Sequence, residues 1–237
     1  MLITWVSRKG GRKFNEDAAG KTKAKGIVCV AVADGLGGLY GGGKAAEIAV
    51  KTVLESFTKT PEFSSEAMQR YISDANNAII KTAKTDPELV HMSSTVVVLM
   101  IKGKKAIWAN VGDSRLYMFR EGRISEVTED HSVAFEEFLK GDIEYADIKN
   151  SPNQNMLTSA LGNHAGAVNI SDIKIIDSQT SFLLCTDGWW EYVSDEEMED
   201  KLKSSKNARA WLEKMLEIRE REAKKDSDNY TAAVVMM

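Results

Sequence analysis

The feature that most constrains this chain is a series of short apolar runs of strand length, broken by turn signals. They are "LITWV" (2–6), "IVCVAVA" (27–33), "TVVVLMI" (95–101), "AIWANV" (106–111), "RLYMF" (115–119), "SFLLCT" (181–186) and "YTAAVVMM" (230–237). Val, Ile and aromatic side chains dominate them, as a buried pleated surface requires. "KGKK" and "REGR" read as hairpin turns, so part of the sheet is antiparallel. Elsewhere the apolar period becomes helical. Ala45, Ala46, Ile48, Ala49, Val53, Leu54 and Phe57 share one side of 43–58; Ala67, Met68, Tyr71, Ile72, Ala75, Ala78, Ile79 and Ala83 share one side of 64–84. Two more helices are expected, at 194–203 with Ser194 and Glu197 at capping-box spacing, and at about 206–223 around Trp211 and Met215.

Strands grouped together and helices grouped in pairs imply an α+β layering rather than a strictly alternating doubly wound sheet. No repeat or Pro/Ser-rich linker divides residues 1–237, so one domain is expected. The polar, acidic stretch 129–180 reads as a surface excursion.

The charge balance excludes some functions. Net charge is −4 with no basic stripe, which argues against nucleic acid as the main partner. No run approaches the ~20 apolar residues of a membrane span. "MLITWVSRKGGRKF" has no secretory apolar core followed by a cleavage site. A cytoplasmic monomer is the expectation. Cys29 and Cys185 sit inside apolar runs and read as buried thiols.

"VADGLGGLYGGGKAAE" (32–47) admits two readings. As a nucleotide loop, Gly38 precedes Gly43-Lys44 at the right interval. That loop needs a Ser or Thr hydroxyl after the Lys to ligate Mg²⁺, and position 45 is Ala. Lys44 is better read as a solvated residue in a helix's first turn. The remaining glycines allow positive φ or close backbone approach; 41–43 read as a flexible loop. In the second reading, Asp34-Gly35 is an acidic residue at a strand end.

Asp34 has counterparts. Asp187 follows "LLCT", Asp113 sits in the tight connection "NVGDSR", Asp228-Asn229 precede the last apolar run, and Glu16-Asp17 precede the run ending at Asp34. Each alone suits a turn or cap. Gathered at one sheet edge they repel one another, and a hard divalent cation removes that cost. Only His91, His131 and His164 are present, none at metal spacing, which disfavours zinc. The residues therefore suggest an oxygen-rich site for two Mn²⁺ or Mg²⁺ ions. Two such ions generate hydroxide near neutral pH and neutralise phosphate, so phosphoester hydrolysis fits these parts. Arg12 is the candidate cation for the phosphate oxygens.

In chain order, "RKFNED" (12–17), "ADGLGG" (33–38), "SST" (93–95), "VGDSRLY" (111–117), "TEDHS" (128–132), "TSALG" (158–162), "CTDGWWEYVSDEE" (185–197) and "DNYT" (228–231) resemble the motifs of the PPM, or PP2C-like, metal-dependent Ser/Thr protein phosphatases, in their bacterial single-domain form. The resemblance implies a four-layer α-β-β-α sandwich, two antiparallel sheets flanked by helix pairs. It implies that Asp34 bridges both metals, that the Gly35 carbonyl serves one of them, and that Asp187 and Asp228 complete the other. Asp17 would hold metal-bound waters, with Glu16 near the second metal. Arg12 would bind the substrate phosphate. Asp113 with Asp187 would form a third, weaker metal site, and Asn229 would support the cluster by hydrogen bonding. Residues 131–155 would be the flap beside the site, and the substrates phosphorylated Ser/Thr proteins made by a partner kinase.

Several residues depart from the family pattern. Leu36 stands where relatives carry His or Met and cannot donate a proton. "SST" lacks a glycine of the family's "GTT", "TSALG" lacks the Arg of "TRALG", and "DGWW" adds aromatic bulk. None removes a metal ligand. His131 reads as a structural residue at a helix start rather than a proton donor. Two other classes compete with the phosphatase: a phosphoprotein-binding scaffold with little chemistry, and a nucleotide-binding protein, which Ala45 counts against.

Overall fold

The computed structural model describes residues 1–37, 41–162 and 166–237, so Gly38 and His164 lie outside the described residues. In chain order the strands are β1 (Leu2–Arg8), β2 (Ala18–Ala24), β3 (Ile27–Ala33), β4 (Gly35–Leu36), β5 (Ser93–Ser94), β6 (Val96–Lys102), β7 (Lys105–Val111), β8 (Arg115–Arg120), β9 (Arg123–Val127), β10 (Asn169–Ile170), β11 (Lys174–Ile175), β12 (Thr180–Cys185) and β13 (Tyr230–Met236). The helices are α1 (Gly41–Lys59), α2 (Ser65–Ala83), α3 (Val133–Lys140), α4 (Asp187–Trp190), α5 (Asp195–Lys203) and α6 (Ala208–Glu222).

One sheet runs β1-β13-β12-β8-β9 and the other β10-β7-β6-β3-β2, with β11 also on β7. Every pairing within them is antiparallel. β3 shows how one sequence builds three layers. All of its residues are buried. Val28, Val30 and Val32 face a core shared with Leu184, Ala233 and Val235 of the opposite sheet. Cys29, Ala31 and Ala33 face the other way, onto Ala46, Ala49, Val53 and Met68 of α1 and α2. β12 and β13 mirror this, sending Leu183, Cys185, Ala232 and Val234 toward Trp211, Leu212 and Met215 of α6. The period-2 alternation of apolar residues thus makes an inner core and two outer ones, the expected four-layer sandwich.

The local rules are visible. Glu121 (φ 50°) and Gly122 (φ 75°) turn β8 into β9, and Lys25 (φ 46°) with Gly26 (φ 74°) turn β2 into β3. Two successive positive φ values match the right-handed twist of the strands they join. Ser194 and Glu197 form the expected capping box of α5. Two expectations need correction. Residues 41–43 are not a loop but the first turn of α1. A Cβ on Gly42 would stand 2.6 Å from the Gly35 carbonyl oxygen, and one on Gly35 2.2 Å from the Gly42 backbone. The glycines let the helix start press on the segment after β3. The stretch 129–180 is also more than an excursion: it holds α3, a 3₁₀ turn at Tyr145–Asn150, β10 and β11, and it buries Phe135, Ile148 and Leu161. Both free cysteines are buried, as expected.

Candidate active site

The strand registers bring the acidic residues together. Ala18 pairs with Ala33, Val96 with Val111, Arg115 with Cys185 and Cys185 with Ala232. The start of β2, the end of β3, the β7–β8 turn, the end of β12 and the start of β13 therefore lie at one end of the sandwich. Asp17, Asp34, Asp113, Asp187 and Asp228 occupy those positions.

Asp34 is anchored through its backbone. Its N–H donates to Thr95 Oγ1 at 2.9 Å, and its carbonyl accepts from the Ser94 hydroxyl at 2.8 Å and the Thr95 N–H at 2.9 Å. Its carboxyl is pushed well above the ordinary range, by burial first and then by Asp187, Asp17, Asp113 and Asp228. Asp187 is raised likewise, by burial and then by Asp113, Glu191, Asp228 and Asp17. Burial lifts Asp17 to about 6, although its Oδ2 accepts from the Thr186 hydroxyl at 2.9 Å. Asp113 is lifted to about 7 by burial and by Asp130, against the opposing pull of Arg115. Burial and like-charged neighbours together disfavour ionisation of these carboxyls, because too little positive charge lies among them.

Arg12 meets this cluster from the exposed side. Its Nε and Nη2 fork onto Asp228 Oδ1 and Oδ2 at 3.0 and 2.7 Å. Asn229 fixes the loop that carries Arg12. Its Nδ2 donates to the carbonyls of Lys9 (2.9 Å) and Phe14 (2.8 Å), and its Oδ1 accepts from Glu16 N–H at 2.8 Å. Glu16 turns toward the start of α1, where its Oε1 accepts from the Gly43 N–H at 3.3 Å. Gly35 lies in β4, paired with Ser94, and Leu36 pairs with Ser93.

The donor set fits hard divalent cations. It offers carboxylate oxygens, and Asp17 Oδ1 is buried without a hydrogen-bond partner. Among the described residues no three side chains already stand in a metal-holding geometry. Asp228 is turned to Arg12, and Asp187 Oδ1 accepts from the Gly188 N–H. Both carboxylates would have to leave these partners to close around an ion.

His131 serves the frame. Its Nδ1 accepts from Gly112 N–H at 3.0 Å, its backbone N–H donates to Gly112 O at 3.0 Å, and burial lowers its pKa. It clamps the turn carrying Asp113, and the next residue, Ser132, caps α3. Arg115 and Asp130 form a buried ion pair at 2.7 Å beneath the same turn, with the guanidinium 3.6 Å from the Trp190 ring centroid.

Sequence reasoning missed three contributors. Arg219 of α6 is almost fully buried; it donates to Gly188 O (3.0 Å), Asp228 O (3.1 Å) and Ser227 Oγ (3.3 Å), and stacks 3.5 Å from the Tyr230 ring centroid. One guanidinium thus joins the backbones beside Asp187 and Asp228. Thr186 bridges Thr231 N–H and Asp17. Glu191, raised chiefly by burial, faces Asp187 and accepts from Gln154. The motif "TDGWWE" already contained Thr186 and Glu191; nothing local marked Arg219.

A family described as Protein phosphatase 2C matches residues 7–230. The serine/threonine phosphatase stp of Listeria welshimeri is 34% identical over 204 residues, covering 83% of this chain and 80% of that protein. The solved serine/threonine phosphatase of Staphylococcus aureus has a TM-score of 0.89 at 24% identity, over 99% of this chain and 94% of that one. The catalytic domain of the phosphatase PstP, solved with two manganese ions, has a TM-score of 0.84 at 22% identity, over 98% and 96%. These structures share the sandwich fold of this chain. The chain belongs to the protein phosphatase 2C family.

Proposed function

We propose that the chain is a metal-dependent protein phosphatase that hydrolyses phosphoserine and phosphothreonine at a dinuclear Mn²⁺ or Mg²⁺ centre. The observation that carries this reading is the convergence of Asp17, Asp34, Asp187 and Asp228 beside Arg12, from segments far apart in sequence. Ions bound there supply Lewis acidity and a hydroxide nucleophile near neutral pH. Asp34, fixed by Thr95 and Ser94, would hold the ions together with the Gly35 carbonyl. Asp187 and Asp228 would supply further carboxylate oxygens to hold an ion. Asp17, held by Thr186, orients water. Asp113 with Asp187 is assigned a third, weaker site. Glu16 is better placed to fix the start of α1 than to ligate directly.

Arg12 binds the substrate phosphate by exchanging its fork from the Asp228 carboxylate to two phosphate oxygens. Leu36 offers no proton, so the leaving alkoxide takes one from water or from another residue. Asn229 keeps the Arg12 loop in register. Residues 131–155 act as a flap: Gln154, on its far arm, reaches Glu191 beside Asp187. We take 1–237 as one catalytic domain, a cytoplasmic monomer acting on the products of a protein kinase. No described helix is long and apolar enough to cross a membrane.

The test is phosphate release from a phosphothreonine peptide with Mn²⁺, with Mg²⁺ and with excess EDTA, beside Asp34→Asn. Metal-dependent release lost in the variant supports the reading. No release with either metal, or release undiminished by Asp34→Asn, overturns it.

A further inference from the structure

The run "RKGGRK" (8–13) places cations on both sides of two glycines, and the fold uses both. A Cβ on Gly10 would stand 2.2 Å from Asp228 O, and one on Gly11 2.2 Å from Lys225 O. Gly11 N–H donates to Ser227 O at 2.9 Å, and Arg12 N–H to Lys9 O at 3.1 Å. The loop is thereby pressed against 225–228, and its cations line up with those that follow α6. Between them opens a cleft of about 420 Å³ lined by Arg8, Lys9, Arg219, Lys224 and Lys225, with Glu220 its one acidic lining residue. Glu220 is already engaged by Arg8 and by the Tyr230 hydroxyl. Lys9, Lys224 and Lys225 are exposed, and no ion pair among the described residues holds them. A chain of net charge −4 has concentrated exposed positive charge next to the arginine that faces its acidic centre, and the nearby carboxylates of Asp226 and Glu191 offset only part of it.

We propose that this cleft recognises acidic side chains flanking the phosphorylated residue, so that the enzyme prefers phosphopeptides rich in Asp and Glu near the phosphate. The inference rests on the phosphatase reading. Arg12 at the base of the turn takes the phosphate, while the lysines at the cleft rim meet carboxylates a few residues away. Such rim charges act through long-range attraction, so the preference weakens with salt.

The experiment compares two phosphothreonine peptides of equal length, one with Glu and one with Gln around the phosphate, and p-nitrophenyl phosphate, on wild type and Lys224→Ala/Lys225→Ala. Peptide binding is followed by fluorescence anisotropy beside turnover. The acidic peptide should show the lower KM at low salt. The double variant should raise that KM about three- to tenfold, the effect of losing two exposed charge pairs. The Gln peptide and p-nitrophenyl phosphate should be unaffected, which also shows the variant folded. Equal KM values for both peptides at low salt, or equal losses in the variant, overturn the proposal. Selective binding of the acidic peptide without turnover would uphold the cleft and overturn the phosphatase reading. Loss of the preference on adding a short DNA duplex at equal charge would assign the cleft to polyanions in general and overturn it.

Discussion

Arg12 grips Asp228 with both ends of its guanidinium, at 3.0 and 2.7 Å, yet their side chains remain 57% and 41% exposed. An exposed pair of this kind contributes at most about 1 kcal/mol. The fork is therefore well formed and cheaply released, as a phosphate-binding arginine requires. Arg12→Ala should lower kcat/KM for a phosphopeptide by about ten- to a thousandfold, since a charged bidentate contact to the reacting phosphate is lost. Chemical denaturation should show a stability change below about 1 kcal/mol. A large loss of stability with unchanged kinetics would make Arg12 structural.

Asn229 is the opposite case. It is buried, and its three hydrogen bonds go to backbone groups of Lys9, Phe14 and Glu16. Asn229→Ala leaves those groups without a partner and should cost about 2–4 kcal/mol. Activity should fall with it, because the same loop carries Arg12. Urea midpoints of wild type and variant measure this; a shift equivalent to less than about 1 kcal/mol would mean the loop holds itself.

Much of the site was legible because acidic residues at strand ends need no tertiary information to be noticed. Asp34, Asp187 and Asp228 adjoin apolar runs, and antiparallel pairing then brings those ends together. β2 escaped notice because "AAGKTKA" is an edge strand too polar to stand out, although Lys25-Gly26 offered a hairpin signal. The start of α1 was misread because three glycines locally favour a loop, and only the close approach of Gly35 explains them. Arg219 was hidden for a different reason. In "EIRERE" it looks like any solvated helix charge, and only the packing of α6 on β13 shows that it faces inward.

That buried arginine can be tested directly. Arg219→Met keeps much of the volume but removes all three hydrogen bonds and the stacking on Tyr230. Gly188 O and Asp228 O lose their donor, so the cost should be about 3 kcal/mol or more. Arg219→Lys should recover only part, because an ammonium lacks the planar fork that spans both carbonyls. Equal stability of the Lys variant and wild type by calorimetry would show that charge alone suffices there.

The raised carboxyls fix how the metal-free protein responds to pH. In the unfolded chain aspartates lose their protons near pH 4. In the folded chain Asp17 holds its proton to about 6 and Asp113 to about 7, with Asp34 and Asp187 also raised. Between about pH 4 and 7 the folded state thus binds more protons than the unfolded one, so stability falls as pH rises through that window. The loss should be a few kcal/mol, about 5–10 °C in Tm for a chain of this size. Divalent cation binding favours the ionised carboxylates, so Mn²⁺ should restore Tm most at pH 7 and above and little at pH 5. Thermal melts in EDTA and in Mn²⁺ from pH 5 to 8 test both halves. A Tm in EDTA that rises with pH over this range would show that these carboxyls are not raised in the folded state. A Mn²⁺ effect equal at pH 5 and 8 would show that they are not what the ion replaces protons on.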